Sequence, residues 1–265
     1  MPFAHINGQR IFFTDTGGHG PTIVFSHGLL MDSEMFAPQV AALSDRYRSI
    51  TWDERGHGKT AGETLAPFSY YDSADDLVAL LDHLGIQQAV LAGMSQGGYL
   101  SLRCALTHPA RVRALILIDT QAGGEDPAKM AGYQQLVDDW TANGLSDAVA
   151  GIIEGIILGQ GWPGAAQWKT KWKTWSPANL IGCIQTLASR DDISARVGDI
   201  TIPALVIHGE SDVAIPMAAA QALAGSMANA SLVRIPGAGH AANLTHPEPT
   251  NAAIEDFLAW IGQEA

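Results

Sequence analysis

Short apolar runs alternate along this chain with longer stretches whose apolar positions recur every three or four residues. Thr22 to Phe25, Ser49 to Trp52, Ala89 to Leu91, Ala114 to Ile118, Ala204 to Ile207 and Leu232 to Ile235 are the runs. Continuous rather than alternating hydrophobicity predicts strands buried on both faces of a parallel sheet. Ahead of them, Phe3 to Ile6 and Gln9 to Asp15 meet at Asn7-Gly8 and read as a hairpin with a two-residue turn. Between the runs lie helices. One is expected over 69–84, with Ser69 and Asp72 as a capping box, Leu77, Val78 and Leu81 on one face, and Gly85 as the stop. A second follows Ser95, buries Leu102, Ala105 and Leu106, and is stopped by Pro109. Two more run from Met217 to about 224 and from Pro247 onward, the last with Thr245 and Glu248 as its cap and Ile254, Phe257, Leu258 and Ile261 buried. Strand–helix alternation of this kind gives a parallel sheet with right-handed crossovers.

The alternation stops between 124 and 197, where only helical patterns occur: Leu136 with Trp140, Val149 to Ile157, Trp168 with Trp172 and Trp175, and Leu180 to Leu187. Ser176-Pro177 opens the last of these as a cap followed by proline at the first helical position. The reading is a helical insertion, 124–197, set on a core made of 1–123 and 198–265. Trp168, Trp172 and Trp175 fall on one helix face. They serve either as packing between insertion and core or as an aromatic roof over a ligand, the second reading joined by the apolar Ile152–Leu158 stretch.

Composition narrows the class. At 265 residues, with 47% hydrophobic and 16% charged side chains, the chain suits one large α/β core. Its 27 acidic against 15 basic residues leave a net charge of -12, which argues against nucleic acid or an anionic membrane as partner. Two cysteines, Cys104 and Cys183, lie in apolar helical patterns and read as buried free thiols. The first residues lack a basic segment leading into an apolar one, and no uncharged apolar stretch approaches the ~20 residues of a membrane span. A cytoplasmic protein is the expectation.

The chemistry centres on Gly93-Met94-Ser95-Gln96-Gly97, between an apolar run and a helix. On so sharp a turn the serine backbone is strained and its hydroxyl stands above the sheet, while the glycines allow close approach. A serine hydroxyl needs a base within hydrogen-bond reach, itself oriented by a carboxylate. Two later strand ends supply candidates: Asp212 in His208-Gly209-Glu210-Ser211-Asp212, and His240 in Gly237-Ala238-Gly239-His240. Asp119, after the strand that follows the serine helix, is a second candidate acid.

These motifs, with His27-Gly28, Asp53-x-Arg55-Gly56-His57-Gly58 and Gly209-x-x-Asp212-x-x-x-Pro216, resemble the α/β-hydrolase fold family over nearly the whole chain. Within it the chain is similar to serine esterases and to 3-oxoadipate enol-lactonase-like hydrolases. The resemblance implies a mostly parallel eight-stranded sheet flanked by helices, with a helical cap inserted after the sixth strand. It also implies a nucleophile at Ser95, a base and acid at His240, an orienting acid at Asp212, and an oxyanion hole from the backbone N–H groups of Leu29 and Gln96. No cofactor or metal is called for. The partner implied is a small ester or lactone with an apolar or aromatic acyl group. A perhydrolase, a C–C bond hydrolase or a non-catalytic ligand-binding protein on the same scaffold are the competing readings. His27 is expected to shape the oxyanion loop. Asp53 and Arg55 are expected to tie a loop, and His57, His108, His208 and His246 to be structural.

Overall fold

The computed structural model describes residues 2–62 and 65–263. Strands β1 (Phe3–Ile6) and β2 (Gln9–Asp15) form the expected antiparallel hairpin, with Asn7 and Gly8 both at positive φ, 46° and 76°. Then come β3 (Thr22–Ser26), β4 (Arg48–Trp52), β5 (Ala89–Met94), β6 (Val112–Ile118), β7 (Ala204–Gly209) and β8 (Ala230–Ile235). They make one eight-stranded sheet in the order β1-β2-β4-β3-β5-β6-β7-β8. Every pairing from β4 to β8 is parallel, and β1 and β2 are antiparallel additions at one edge.

Alternate side chains of the central strands feed two separate cores. Val24, Leu91, Leu115, Leu117 and Val206 face one way, against α2 (Tyr70–His83), α3 (Gln96–Thr107) and α8 (Met217–Ser226). Ile23, Phe25, Ala92, Ile116 and Ile207 face the other, against α1 (Ala37–Leu43) and α10 (Pro247–Gln263). Burial on both faces is why these strands read as unbroken apolar runs. Ser69 caps α2 with the reciprocal bonds of a capping box to Asp72. Two helices were not among the sequence expectations: α1, and α9 (Ala242–Thr245), a single turn. Thr245 belongs to that turn, where its hydroxyl donates to the Ala241 carbonyl (3.0 Å) rather than capping α10.

Four helices fill the segment between β6 and β7: α4 (Pro127–Asn143), α5 (Asp147–Ile157), α6 (Ala165–Trp172) and α7 (Pro177–Ala188). Their apolar faces join the core on the α1/α10 side of the sheet. Trp168 and Trp172 are fully buried in that packing, and the Trp172 indole N–H donates to the Leu30 carbonyl at 2.9 Å. Trp175 lies beyond the end of α6 and meets the His57 ring edge-on at 5.0 Å. Trp172 and Trp175 therefore hold the helical insertion onto the β3–α1 loop and the segment around His57, while Trp168 is buried in the core beside them. The aromatic roof is not built from them. No described helix is long and apolar enough to cross a membrane.

Candidate active site

Ser95 sits between β5 and α3 with φ 54° and ψ −114°, a conformation L side chains avoid. What holds it there is close packing. A Cβ at Gly93 would lie 2.1 Å from the Gly97 carbonyl oxygen, and one at Gly97 2.1 Å from that of Ser26. The Ser95 N–H bonds to the Ile118 carbonyl (2.9 Å), and its own carbonyl accepts from the Thr120 hydroxyl (2.6 Å). The strained turn is thus fixed to the neighbouring strand end. Its hydroxyl is left to point outward.

The Ser95 Oγ lies 2.9 Å from His240 Nε2, and His240 Nδ1 lies 2.8 Å from Asp212 Oδ2. The structure therefore brings together all three side chains that the sequence singled out, from strand ends 145 residues apart in the chain. Asp212 is fixed in turn: its Oδ1 accepts the N–H groups of Ala214 (2.7 Å) and Ile215 (2.9 Å). Burial pushes its carboxyl up, but the His240 charge and hydrogen bond, the Ile215 N–H and His208 together hold it below the usual range.

Asp119, the other candidate acid, is turned elsewhere. Its Oδ1 accepts the Gly209 N–H (2.8 Å) and its Oδ2 the Ala242 N–H (2.9 Å), tying the ends of β6 and β7 to α9. Burial, then the nearby Asp212 charge, raise its pKa well above the ordinary value. His208 is fully buried beside both acids, bonded through Nε2 to the Ile215 carbonyl (2.9 Å), and burial lowers its pKa. Ligating atoms of Asp119, His208 and Asp212 lie within 4.8 Å of one another. Both carboxylates already accept backbone N–H groups, so this is a hydrogen-bonded corner rather than an open set of metal ligands.

Leu29 and Gln96 flank the serine. Gln96 opens α3, so its N–H lies outside the intrahelical ladder. Leu29 lines the same cavity as Ser95, and its loop is clamped by His27, whose Nδ1 bonds the Gly28 carbonyl (2.9 Å) while Nε2 accepts the Glu54 N–H (2.9 Å). Burial lowers His27 to about 4, so the ring is neutral and suited to that double contact. Asp53 accepts from the Ser33 and Lys59 N–H groups, and Arg55 pairs with Asp76. Both tie loops, as expected.

Behind Gln96 lies a buried polar group that the sequence did not disclose. The Gln96 amide donates to Glu54 Oε2 at 3.4 Å and accepts from the Tyr70 hydroxyl at 3.3 Å. Burial raises Glu54 to about 8, against 4.5 for an ordinary glutamate. The folded chain therefore holds a proton on Glu54 that the unfolded chain releases above about pH 4.5. The Glu54 contribution to stability falls as pH rises toward 8 and is constant beyond it. Glu54→Gln removes this dependence. Relative to the parent, the variant is expected to gain on the order of a few kcal/mol between pH 5 and pH 8, measured by urea unfolding. A gap that does not change with pH would show Glu54 to be ionised in the fold.

Ser95 and His240 open onto a cavity of about 90 Å³. Its walls come from the insertion: Leu136, Val137 and Trp140 of α4, Ile153, Ile156 and Ile157 of α5, and Leu180, Ile184 and Leu187 of α7. The apolar 152–158 stretch thus does face the cavity, and the aromatic contribution is Trp140 rather than the α6 tryptophans. Leu29, Leu30, Met94, Ala214 and Ile215 of the core form its floor, and Glu125, Lys129 and Tyr133 also line it. The last three belong to an irregular stretch and the first turns of α4, and no sequence pattern marked them.

A parallel sheet with a strained serine between its central strand and a helix, and an acid and a histidine delivered from the next strand ends, defines the α/β-hydrolase architecture. Comparison with known proteins agrees. The profile of the alpha/beta hydrolase fold matches residues 21–150, and that of the TAP-like proteins residues 171–261. The chain has the α/β-hydrolase fold. It is 29% identical over 258 residues, 90% of each chain, to a Caulobacter protein named as a candidate carbamate hydrolase. To 3-oxoadipate enol-lactonase 2 of Acinetobacter baylyi it is 29% identical over 253 residues, covering 90% of this chain and 88% of that one. The crystal structure of the enol-lactonase from Burkholderia xenovorans superposes with a TM-score of 0.88 at 27% identity, over 97% of this chain and all of the other.

Proposed function

We propose that this protein is a serine hydrolase of small carboxylic esters or lactones, working through an acyl-enzyme. The observation that carries the reading is the unbroken hydrogen-bond chain from Asp212 through His240 to Ser95, ending in an apolar cavity. His240 takes the Ser95 proton as Oγ attacks the carbonyl carbon, and Asp212, kept ionised, stabilises the imidazolium that forms. The tetrahedral oxyanion lies against the N–H groups of Leu29 and Gln96, and loss of one such donor typically costs about 10²–10³ in turnover. His240 returns the proton to the leaving alkoxide; a water activated by the same histidine then cleaves the acyl-enzyme. In a lactone the alcohol stays tethered and the product is one hydroxy acid.

Cavity size and lining set the acyl group. An apolar space of about 150 Å³ accommodates benzene. The cavity here, about 90 Å³, suits a short aliphatic chain. This is narrower than the apolar or aromatic class expected from sequence. The experiment is a fluorophosphonate probe followed by peptide mass spectrometry, beside a panel of p-nitrophenyl esters and small lactones read as kcat/KM. A stoichiometric adduct on Ser95 with turnover favouring short acyl chains is the expected result. Folded protein that forms no adduct and cleaves nothing would be a ligand-binding relative of the hydrolases, and the proposal would fall.

A further inference from the structure

One corner of this cavity is charged. Beyond Ser95, His240 and the Trp140 indole, its only hydrogen-bonding side chains among the described residues are Glu125, Lys129 and Tyr133. The Glu125 side chain is just 6% exposed, and its carboxylate is held between two cations. Arg190 Nη2, itself buried, lies 2.8 Å from Oε1. Lys129 Nζ lies 3.6 Å from Oε2, within ion-pair range but outside hydrogen-bond reach, because it donates instead to the Ala214 carbonyl at 2.5 Å. Oε2 is left as a buried carboxylate oxygen with no hydrogen-bond donor. The Tyr133 hydroxyl stays protonated alongside, since burial and then the charges of Glu125 and Asp212 raise it to about 12.

A buried acceptor without a donor is costly, and a ligand that brings the donor relieves that cost. The ligand's charge follows from the neighbours. A carboxylate on the ligand has no proton to give Oε2 and leaves that oxygen unpaired, and a cationic group would be a third positive charge around a single negative one. We propose that Glu125, steadied by Lys129 and Arg190, is a specificity-determining residue that accepts a hydrogen bond from an uncharged hydroxyl or amide N–H on the substrate. This rests on the ester or lactone reading above. The substrate class becomes a short aliphatic ester or lactone carrying one neutral donor away from the scissile carbonyl, with carboxylate-bearing analogues rejected.

Two matched trios of p-nitrophenyl esters test it at two reaches: butanoate, 3-hydroxypropanoate and the malonate monoester; then heptanoate, 6-hydroxyhexanoate and the adipate monoester. Within each trio only the terminal ethyl, hydroxymethyl or carboxylate group differs, so the tested methyl, hydroxyl or carboxylate oxygen sits at the same distance from the ester. Ratios of kcat/KM within one protein do not depend on how much of it is folded. For the parent, the hydroxyl ester is expected to exceed the carboxylate ester at least about tenfold at one of the two lengths. Glu125→Leu should lower the hydroxyl-to-methyl ratio about tenfold, and Glu125→Gln should raise the carboxylate-to-methyl ratio about tenfold. Unchanged ratios in both variants would overturn the proposal. Should Glu125→Leu fail to fold, Glu125→Gln decides alone by its carboxylate-to-methyl ratio. If the parent cleaves no ester, the hydrolase reading is what fails. The corner is then tested by calorimetric binding of hexan-1-ol: weaker binding to Glu125→Met, which keeps the side-chain length without an oxygen, supports a donor subsite, and equal binding overturns it.

Discussion

Ser95→Ala is expected to lower turnover of p-nitrophenyl butanoate by about 10⁴–10⁶ while leaving the fold intact. The two halves of this prediction rest on different atoms. The proposed chemistry uses Oγ alone, 2.9 Å from His240 Nε2. The turn is held by backbone atoms that alanine keeps: the Ser95 N–H on Ile118, and the Ser95 carbonyl under Thr120 and Tyr99. The positive φ strains alanine about as much as serine, so it adds little to the change in stability. Some rate above water should survive, because the N–H groups of Leu29 and Gln96 still polarise a bound ester. Steady-state kinetics together with thermal unfolding check both halves. Full activity in the variant would remove Ser95 from the mechanism, and an unfolded variant would show the hydroxyl to be structural.

The succession of strands along the chain and the main residues of the candidate site were legible for one physical reason: central strands buried on both faces print as apolar runs, and the loops after them are where an α/β sheet presents its chemistry. His240 and Asp212 could be read because each follows such a run. Three things could not. α1 is seven residues long, with a proline in its first turn and little periodicity, so nothing distinguished it from a loop. The tryptophans at 168, 172 and 175 have the spacing of a helix face, but that spacing serves a packing seam as well as a cavity wall, and α6 ends before Trp175. Glu125 lies in an irregular stretch, and its surroundings come from α4 and from Arg190, 65 residues later. Only the fold assembles that corner.

The choice between Asp119 and Asp212 shows the same limit at one residue, and it carries the second large effect. Both acids follow central strands, and sequence alone left both open. The backbone separates them: Asp119 has φ 47°, and its carboxylate turns to the N–H groups of Gly209 and Ala242, whereas the Asp212 carboxylate reaches His240. Asp212→Asn is expected to cost about 10⁴ in kcat, since an amide that presents its NH₂ to the ring favours the wrong imidazole tautomer. Asp119→Asn should act on stability instead. Its amide oxygen can still accept one of the two N–H groups, but the NH₂ group opposes the other, a loss of about 1–3 kcal/mol. Activity per folded molecule should change by less than about tenfold. The pH dependence gives an independent check. Asp212 is held below the usual carboxylate range, so it stays ionised throughout the neutral region and no limb of the rate profile above pH 5 should belong to it. If Asp119→Asn abolishes turnover and Asp212→Asn does not, then the working acid is Asp119. The hydrogen bond between Asp212 and His240 would in that case serve only to hold the loop after β7.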